Sequence, residues 1–102
     1  MKLFILTCQQ DDRKAAVATF KKAGIGAYSM ADITGFKTFA PEDLSDEWFA
    51  ASPVAADSLL FFSFLSETLA AKALELVFEH NQQHPSDFPL RGFVLSVDTW
   101  VN

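Results

Sequence analysis

With 102 residues, half of them hydrophobic, the chain has room for one domain with a substantial core and none for a second. Eight Lys and Arg stand against thirteen Asp and Glu, a formal charge of -5, and the only basic doublets are Arg13-Lys14 and Lys21-Lys22. Binding a phosphate backbone needs a concentrated positive face, so no nucleic acid is expected as partner, and the acidic balance argues against docking on anionic lipid. The single cysteine, Cys8, excludes an internal disulfide and fits a reducing compartment. The apolar start Met1-Leu6 gives way to Gln9-Gln10-Asp11-Asp12, too short for a signal-peptide core or a membrane span; direct membrane insertion is not expected, and the predicted location is cytoplasmic.

Leu3 to Cys8 is a continuous apolar run ended by polar residues, the pattern of a short strand buried on both faces. Asp11 or Asp12 is placed to cap a helix over Arg13 to Ala23, in which Val17 and Phe20, supported by Ala16 and Ala23, make one buried stripe. Gly24 stands where a left-handed C-terminal cap belongs, with Lys21 and Lys22 complementing the dipole of the last turn. From Ala27 to Phe36 a second strand follows, Tyr28, Met30 and Asp32 on one face and Ala27, Ser29, Ala31 and Ile33 on the other; Gly35 points to a bulge or a close backbone approach.

The stretch from Ala40 to Ala56 differs in kind. It carries Pro41 and Pro53, the acids Glu42, Asp43, Asp46 and Glu47, and the aromatic pair Trp48-Phe49, and reads as a long loop inside a small domain, a feature that tends to be functional or disordered. Its acids and aromatics suit a cation or a basic partner patch; the competing reading folds the aromatics back over the core or a neighbouring subunit.

Ser58 to Leu65 is a further aromatic-rich strand, and Ser66 caps a second helix from Glu67 to about Asn81 whose expected buried face is Leu69, Ala70, Ala73, Leu74, Val77 and Phe78. Leu90 to Val101 alternates as a last strand, Phe93, Leu95 and Val97 against Val94, Ser96 and Asp98. The order β-α-β-loop-β-α-β predicts an α+β fold over residues 1–102: a ferredoxin-like βαββαβ sandwich, antiparallel sheet with both helices on one face, since each crossover takes the right-handed sense. The other face is left open. Eleven Phe are many for this length, so an oligomer is expected to cover that face.

Four segments carry a resemblance: Lys2-Leu3-Phe4-Ile5-Leu6, Phe20-Lys21-Lys22-Ala23-Gly24-Ile25-Gly26-Ala27, Asp32-Ile33-Thr34-Gly35-Phe36 just before the long loop, and Arg91-Gly92-Phe93-Val94-Leu95-Ser96-Val97. In these the chain resembles the PII-like (nitrogen regulatory protein-like) signal-transduction family. The resemblance implies a homotrimer with ligand sites in the clefts between subunits, and it makes 40–56 a T-loop-like segment that engages a partner such as a membrane transporter, a channel or an enzyme. Gly35, Phe36, Lys37 and Arg91 are then the candidate ligand-binding residues; the bland alternative for Lys37 and Arg91 is pairing with surface acids such as Asp32 and Asp98. Where the family carries a glycine-rich phosphate-binding segment this chain has His84-Pro85-Ser86-Asp87-Phe88-Pro89-Leu90, and the sequence as read ends at Asn102 without an arginine-containing tail. Backbone N–H groups cannot gather round a polyphosphate there, so ATP is disfavoured as cofactor. Tyr28 is the only tyrosine, so nucleotidylation of a loop tyrosine is excluded.

His80 and His84, spaced i, i+4, share a face of a continuous helix, the arrangement of a divalent metal site to which Glu79 and Asp87 would add oxygen ligands. The competing reading is a solvated helix end, because Pro85 disfavours helical geometry at His84. Cys8 reads as a small buried hydrophobe. No nucleophile triad, metal-protease motif or nucleotide loop appears, so no catalytic residue is assigned. A regulator is expected rather than an enzyme. The alternatives are a dimeric monooxygenase-type ferredoxin-like enzyme, with His80 or Trp100 lining a cavity, and a ligand-free interaction domain.

Overall fold

The computed structural model describes residues 1–36 and 55–102. Strands β1 (Lys2–Gln9), β2 (Ser29–Phe36), β3 (Ala55–Leu65) and β4 (Arg91–Ser96) form one antiparallel sheet in the order β2-β3-β1-β4. Helices α1 (Arg13–Ala23) and α2 (Glu67–Gln83) connect β1 to β2 and β3 to β4 and pack on one face, which gives the ferredoxin-like βαββαβ architecture. The last expected segment of the long loop, Ala55-Ala56, is already strand, opposite Phe36 and Gly35.

Register assigns the two faces. Phe4, Leu6 and Cys8 of β1 lie opposite Ser63, Phe61 and Leu59 of β3, and all six are buried beneath the helices. Leu3 and Ile5, with their partners Phe64 and Phe62, lie on the other face and are not fully buried, whereas Thr7 further along that face is, so β1 is buried on both faces only towards its C-terminal end. At the centre of the core Phe20 meets Phe4 edge-on and Phe61 at a tilt, each at 5.6 Å between ring centroids, and stacks on Tyr28 at 4.3 Å. Rings of this size dominate burial energetics, and their offset and edge contacts add to it.

Local chemistry accounts for most boundaries. A 3₁₀ turn, Gln10–Asp12, leads into α1; Asp12 holds the N-cap position at φ -97 and ψ 12, but its carboxylate makes no capping hydrogen bond, contrary to expectation. Gly24 ends α1 at φ 80 and ψ 24 with its N–H returned to the carbonyls of Phe20 and Lys21, a conformation glycine takes without the Cβ penalty. Ser66 accepts from the Leu69 N–H at 3.2 Å and caps α2.

Three expectations about helix faces and one about a bulge are corrected. Val17 is 37% exposed and Thr19 takes its place in the buried stripe of α1, its hydroxyl donating to the Ala15 carbonyl at 3.0 Å. Leu74 and Phe78 are exposed, Phe78 at 63%, because Ala70, Ala73 and Val77 are the residues of α2 that the sheet and α1 enclose. Gly35 continues the ladder in register with no bulge and is buried. β4 is shorter than expected: it stops at Ser96, after which the Val97 N–H still donates to the Met1 carbonyl at 3.1 Å. Gly92 allows close packing, since a Cβ there would lie 3.1 Å from Leu74 Cδ2 and 3.4 Å from Phe4 Cε1.

Candidate functional site

The face of the sheet away from the helices presents Leu3 and Ile5 of β1, Leu60, Phe62 and Phe64 of β3, and Phe93 and Leu95 of β4. Phe62 and Phe64 pack edge to face with centroids 6.2 Å apart. Exposure concentrates at one end, where Phe64 is 56% and Leu95 48% accessible; at the other end Thr7 and Ser58 are buried. Among the described residues no second layer covers the apolar end. Contiguous apolar patches are uncommon on the surface of small domains and are often interaction surfaces. Round the sheet edge at the start of β2, Ala27, Tyr28, Ser29, Phe62, Ser63 and Phe64 line a shallow concavity of about 360 Å³, with the Ser63 hydroxyl donating to the Ala27 carbonyl at 2.7 Å.

The expected ligand residues are not brought together within one chain. Gly35 and Phe36 end β2 at one edge of the sheet and Arg91 opens β4 at the other, with β3 and β1 between them. Three strand spacings separate these edges, at least about 14 Å. Asp32 accepts from the Gln10 amide at 2.9 Å. Lys37 and the loop residues Glu42, Asp43, Asp46, Glu47, Trp48 and Phe49 lie outside the described residues.

On the helix side, a cleft of about 290 Å³ opens between α1 and α2, lined by Ala15, Ala18, Thr19 and Lys22 from one and Leu76, Glu79, His80, Gln83 and His84 from the other. α2 runs to Gln83, two residues past the expected end, and His84 serves as its C-cap at φ -130 and ψ 71, so it has left helical geometry as the following proline requires. The His84 N–H nonetheless reaches the His80 carbonyl at 2.9 Å, which keeps the two side chains adjacent: their rings stack with centroids 4.6 Å apart and planes 20° from parallel. Burial, with His84 next and then Lys22 alongside, holds His80 below the ordinary imidazole pKa, only partly offset by Asp12. Glu79 shares the cleft; Asp87 is not among its lining residues. No group of three or more His, Cys, Asp or Glu side chains assembles as a metal-binding cluster among the described residues.

Cys8 sits under the helices at 6% exposure, its thiol pushed up to about 12 by burial and by the charge of Asp12. Trp100 is exposed beyond the end of β4, and His80 stands on the helix side, away from the aromatic sheet face.

The cleft between the helices was not anticipated from the sequence, although its signal was present. Ala15, Ala18, Thr19 and Lys22 recur at helical spacing, and the small side chains of the first three leave room beside the end of α2. The stacking of Tyr28 on Phe20 likewise depends on where the chain turns after Gly24, which residue spacing alone does not give.

No protein-family model matches the chain, and no curated protein sequence matches it. Solved structures do. A DUF3240 family protein from Shewanella baltica OS155 superposes with a TM-score of 0.65 over 99% of this chain and 93% of its own, at 15% identity. A protein from Thermus thermophilus described as a PII-like signaling protein gives 0.63 over 92% of this chain and 83% of its own, at 16% identity. At such identities the likeness is one of fold, and the chain is accordingly a sequence-divergent βαββαβ domain with the fold of PII-like and DUF3240 proteins.

Proposed function

We propose that the protein is a PII-like regulator: a homotrimer that binds a small ligand or a cation and acts on a partner, such as a membrane transporter or an enzyme, through the segment 40–56. The observation that carries this reading is the apolar sheet face that no described residue covers, whose Phe64 and Leu95 are about half accessible in the isolated chain. Burying such surface on a second and third copy removes it from water at about 25 cal/mol per Å². The structural neighbour described as a PII-like signaling protein supports the same reading. The separation of Gly35 and Phe36 from Arg91 fits it too, because residues on opposite sheet edges can share a ligand only when one copy's β2 edge faces another copy's β4 edge.

Sedimentation velocity tests the assembly. A trimer is expected at micromolar protein, a monomer overturns the reading, and a dimer favours the monooxygenase-type alternative, in which the same sheet face forms a subunit interface. A thermal-shift screen against nucleotides, anions and divalent metals then tests the sensing role, since a ligand that binds only the folded state raises its stability by mass action. A flat screen points to the ligand-free interaction domain. In cells the protein is placed in the cytoplasm by this proposal; among the described residues no helix is long and apolar enough to cross a membrane.

A further inference from the structure

We infer that His80 and His84 form a two-imidazole binding site for a divalent d-block cation, Cu(II) foremost, at the mouth of the cleft between α1 and α2. The site does not depend on the oligomer, because this cleft lies on the helix side of the domain and the apolar patch on the opposite face of the sheet.

The geometry supplies two neighbouring nitrogen donors. Helical spacing through Gln83 sets the two histidines one turn apart, and their rings stand nearly parallel at 4.6 Å between centroids. A metal bonded at about 2.0–2.1 Å to each imidazole nitrogen spans donors up to about 4 Å apart. An imidazole lone pair lies in the plane of its ring, so the two donors converge on one ion once at least one ring turns out of the stack about its side-chain torsions. His84 also shows the outer support that metal-binding histidines use. Its Nδ1 lies 3.3 Å from the His80 carbonyl oxygen, and with the proton on Nδ1 it donates there and leaves Nε2 as the lone-pair donor. No hydrogen bond engages the ring of His80 among the described residues.

Ligand type selects the metal. Two neutral imidazoles suit copper, nickel and zinc, whereas magnesium and calcium prefer oxygen donors. Because no third His, Cys, Asp or Glu completes a cluster among the described residues, water fills the remaining positions, and affinity follows the general order in which Cu(II) exceeds Ni(II) and Zn(II). Two charges in the same cleft act in opposite directions: Lys22 repels the ion and Glu79 attracts it.

The test titrates tag-free protein with Cu(II), Ni(II), Zn(II) and Mg(II) alone, followed by calorimetry and, for copper, by electron paramagnetic resonance. One Cu(II) per chain with coordinated nitrogen is expected, and no binding of Mg(II). His80→Gln and His84→Gln should each weaken Cu(II) by about tenfold or more, the scale on which metal sites respond to loss of supporting groups. Lys22→Gln should strengthen it. Zn(II) should shift the ring-proton resonances of both histidines in the wild type, a readout independent of variant stability. Unchanged affinity in both glutamine variants, zinc shifts confined to one histidine, or binding of Mg(II) as strong as that of Cu(II) would each overturn the assignment.

Discussion

Asn81, in the last turn of α2, pairs its side-chain amide with both backbone polar groups of Leu90: Nδ2 donates to the Leu90 carbonyl at 2.8 Å and Oδ1 accepts from the Leu90 N–H at 3.1 Å. The side chain thus does what a neighbouring strand would do, and it does so at a buried residue immediately before β4 begins. Buried backbone groups left without partners carry the full desolvation penalty. Asn81→Ala is therefore expected to lower unfolding free energy by about 2 kcal/mol, each orphaned group costing about 1–3 kcal/mol at most. Asn81→Asp keeps the acceptor but sets an anionic oxygen against the Leu90 carbonyl, and it should be at least as damaging. Urea denaturation of the two variants checks this; a loss below about 0.5 kcal/mol, the range of an ordinary surface substitution, would show that water replaces the amide.

Cys8 offers a prediction in pH. Burial beneath the helices, together with the charge of Asp12, raises its thiol from the ordinary 9.0 to about 12. A raised folded-state value means that the folded chain keeps a proton which the unfolded chain releases. The corresponding stability is complete below pH 9 and is lost as pH climbs toward 12. Cys8→Ala removes this contribution, so wild type should lose more stability between about pH 9 and 11 than the variant does, measured by urea midpoints. The native thiol should also resist iodoacetamide at about pH 8 and react once the protein is denatured, because the thiolate is the nucleophile.

Punctuation was the legible part of this chain. Gly24 after two lysines, Ser66 before Glu67, and the apolar runs of β1 and β3 each carry a local physical cause, and the fold followed from their order. Faces were harder to read. Val17, Leu74 and Phe78 have the hydrophobicity and the spacing of core residues, yet two helices on a four-stranded sheet can enclose only a narrow stripe, and Ala16, Thr19, Phe20 and Ala23 of α1 with Ala70, Ala73 and Val77 of α2 take it. Size lost to position there. The candidate site was legible only in pieces: the histidine spacing was visible, but the cleft beside it requires knowing that the Ala15-Ala18 stripe faces the end of α2. The clamp of Asn81 on Leu90 joins residues nine apart across a turn, and no periodicity announces it.

Two glycines separate backbone strain from packing. At Gly24 a Cβ would meet nothing within 4 Å, so Gly24→Ala isolates the cost of the left-handed conformation, about 1–2 kcal/mol. At Gly92 the conformation is ordinary and the neighbours are close. Gly92→Val forces Leu74 and Phe4 apart and should cost about 1–3 kcal/mol, whereas Gly92→Ala should cost less, because the Leu74 side chain is partly exposed and can swing aside. Thermal unfolding of the three variants checks the order; a harmless Gly92→Val would mean that α2 rides on β4 more loosely than these distances indicate.

The open sheet face yields the sharpest test of assembly. Phe64 and Leu95 lie on that face on either side of Leu3, their register partner in both β3 and β4, and about half of each side chain is accessible in the single chain. In an isolated monomer, replacing either by glutamate removes little buried contact, so unfolding free energy should change by no more than about 0.5 kcal/mol, as for surface substitutions generally. In a trimer closed over this face the same carboxylate is desolvated without a partner, and aromatic residues at the centre of an interface commonly cost about 2 kcal/mol or more when lost. Phe64→Glu and Leu95→Glu should therefore yield folded monomers, with a wild-type far-ultraviolet dichroism spectrum and a smaller sedimentation coefficient. Phe78→Glu is the control: Phe78 is just as exposed but sits on α2, on the opposite side of the sheet, so its variant should remain trimeric. If Phe78→Glu dissociates the assembly and the two sheet-face variants do not, the subunits associate through the helices, and the apolar sheet face must be covered in some other way.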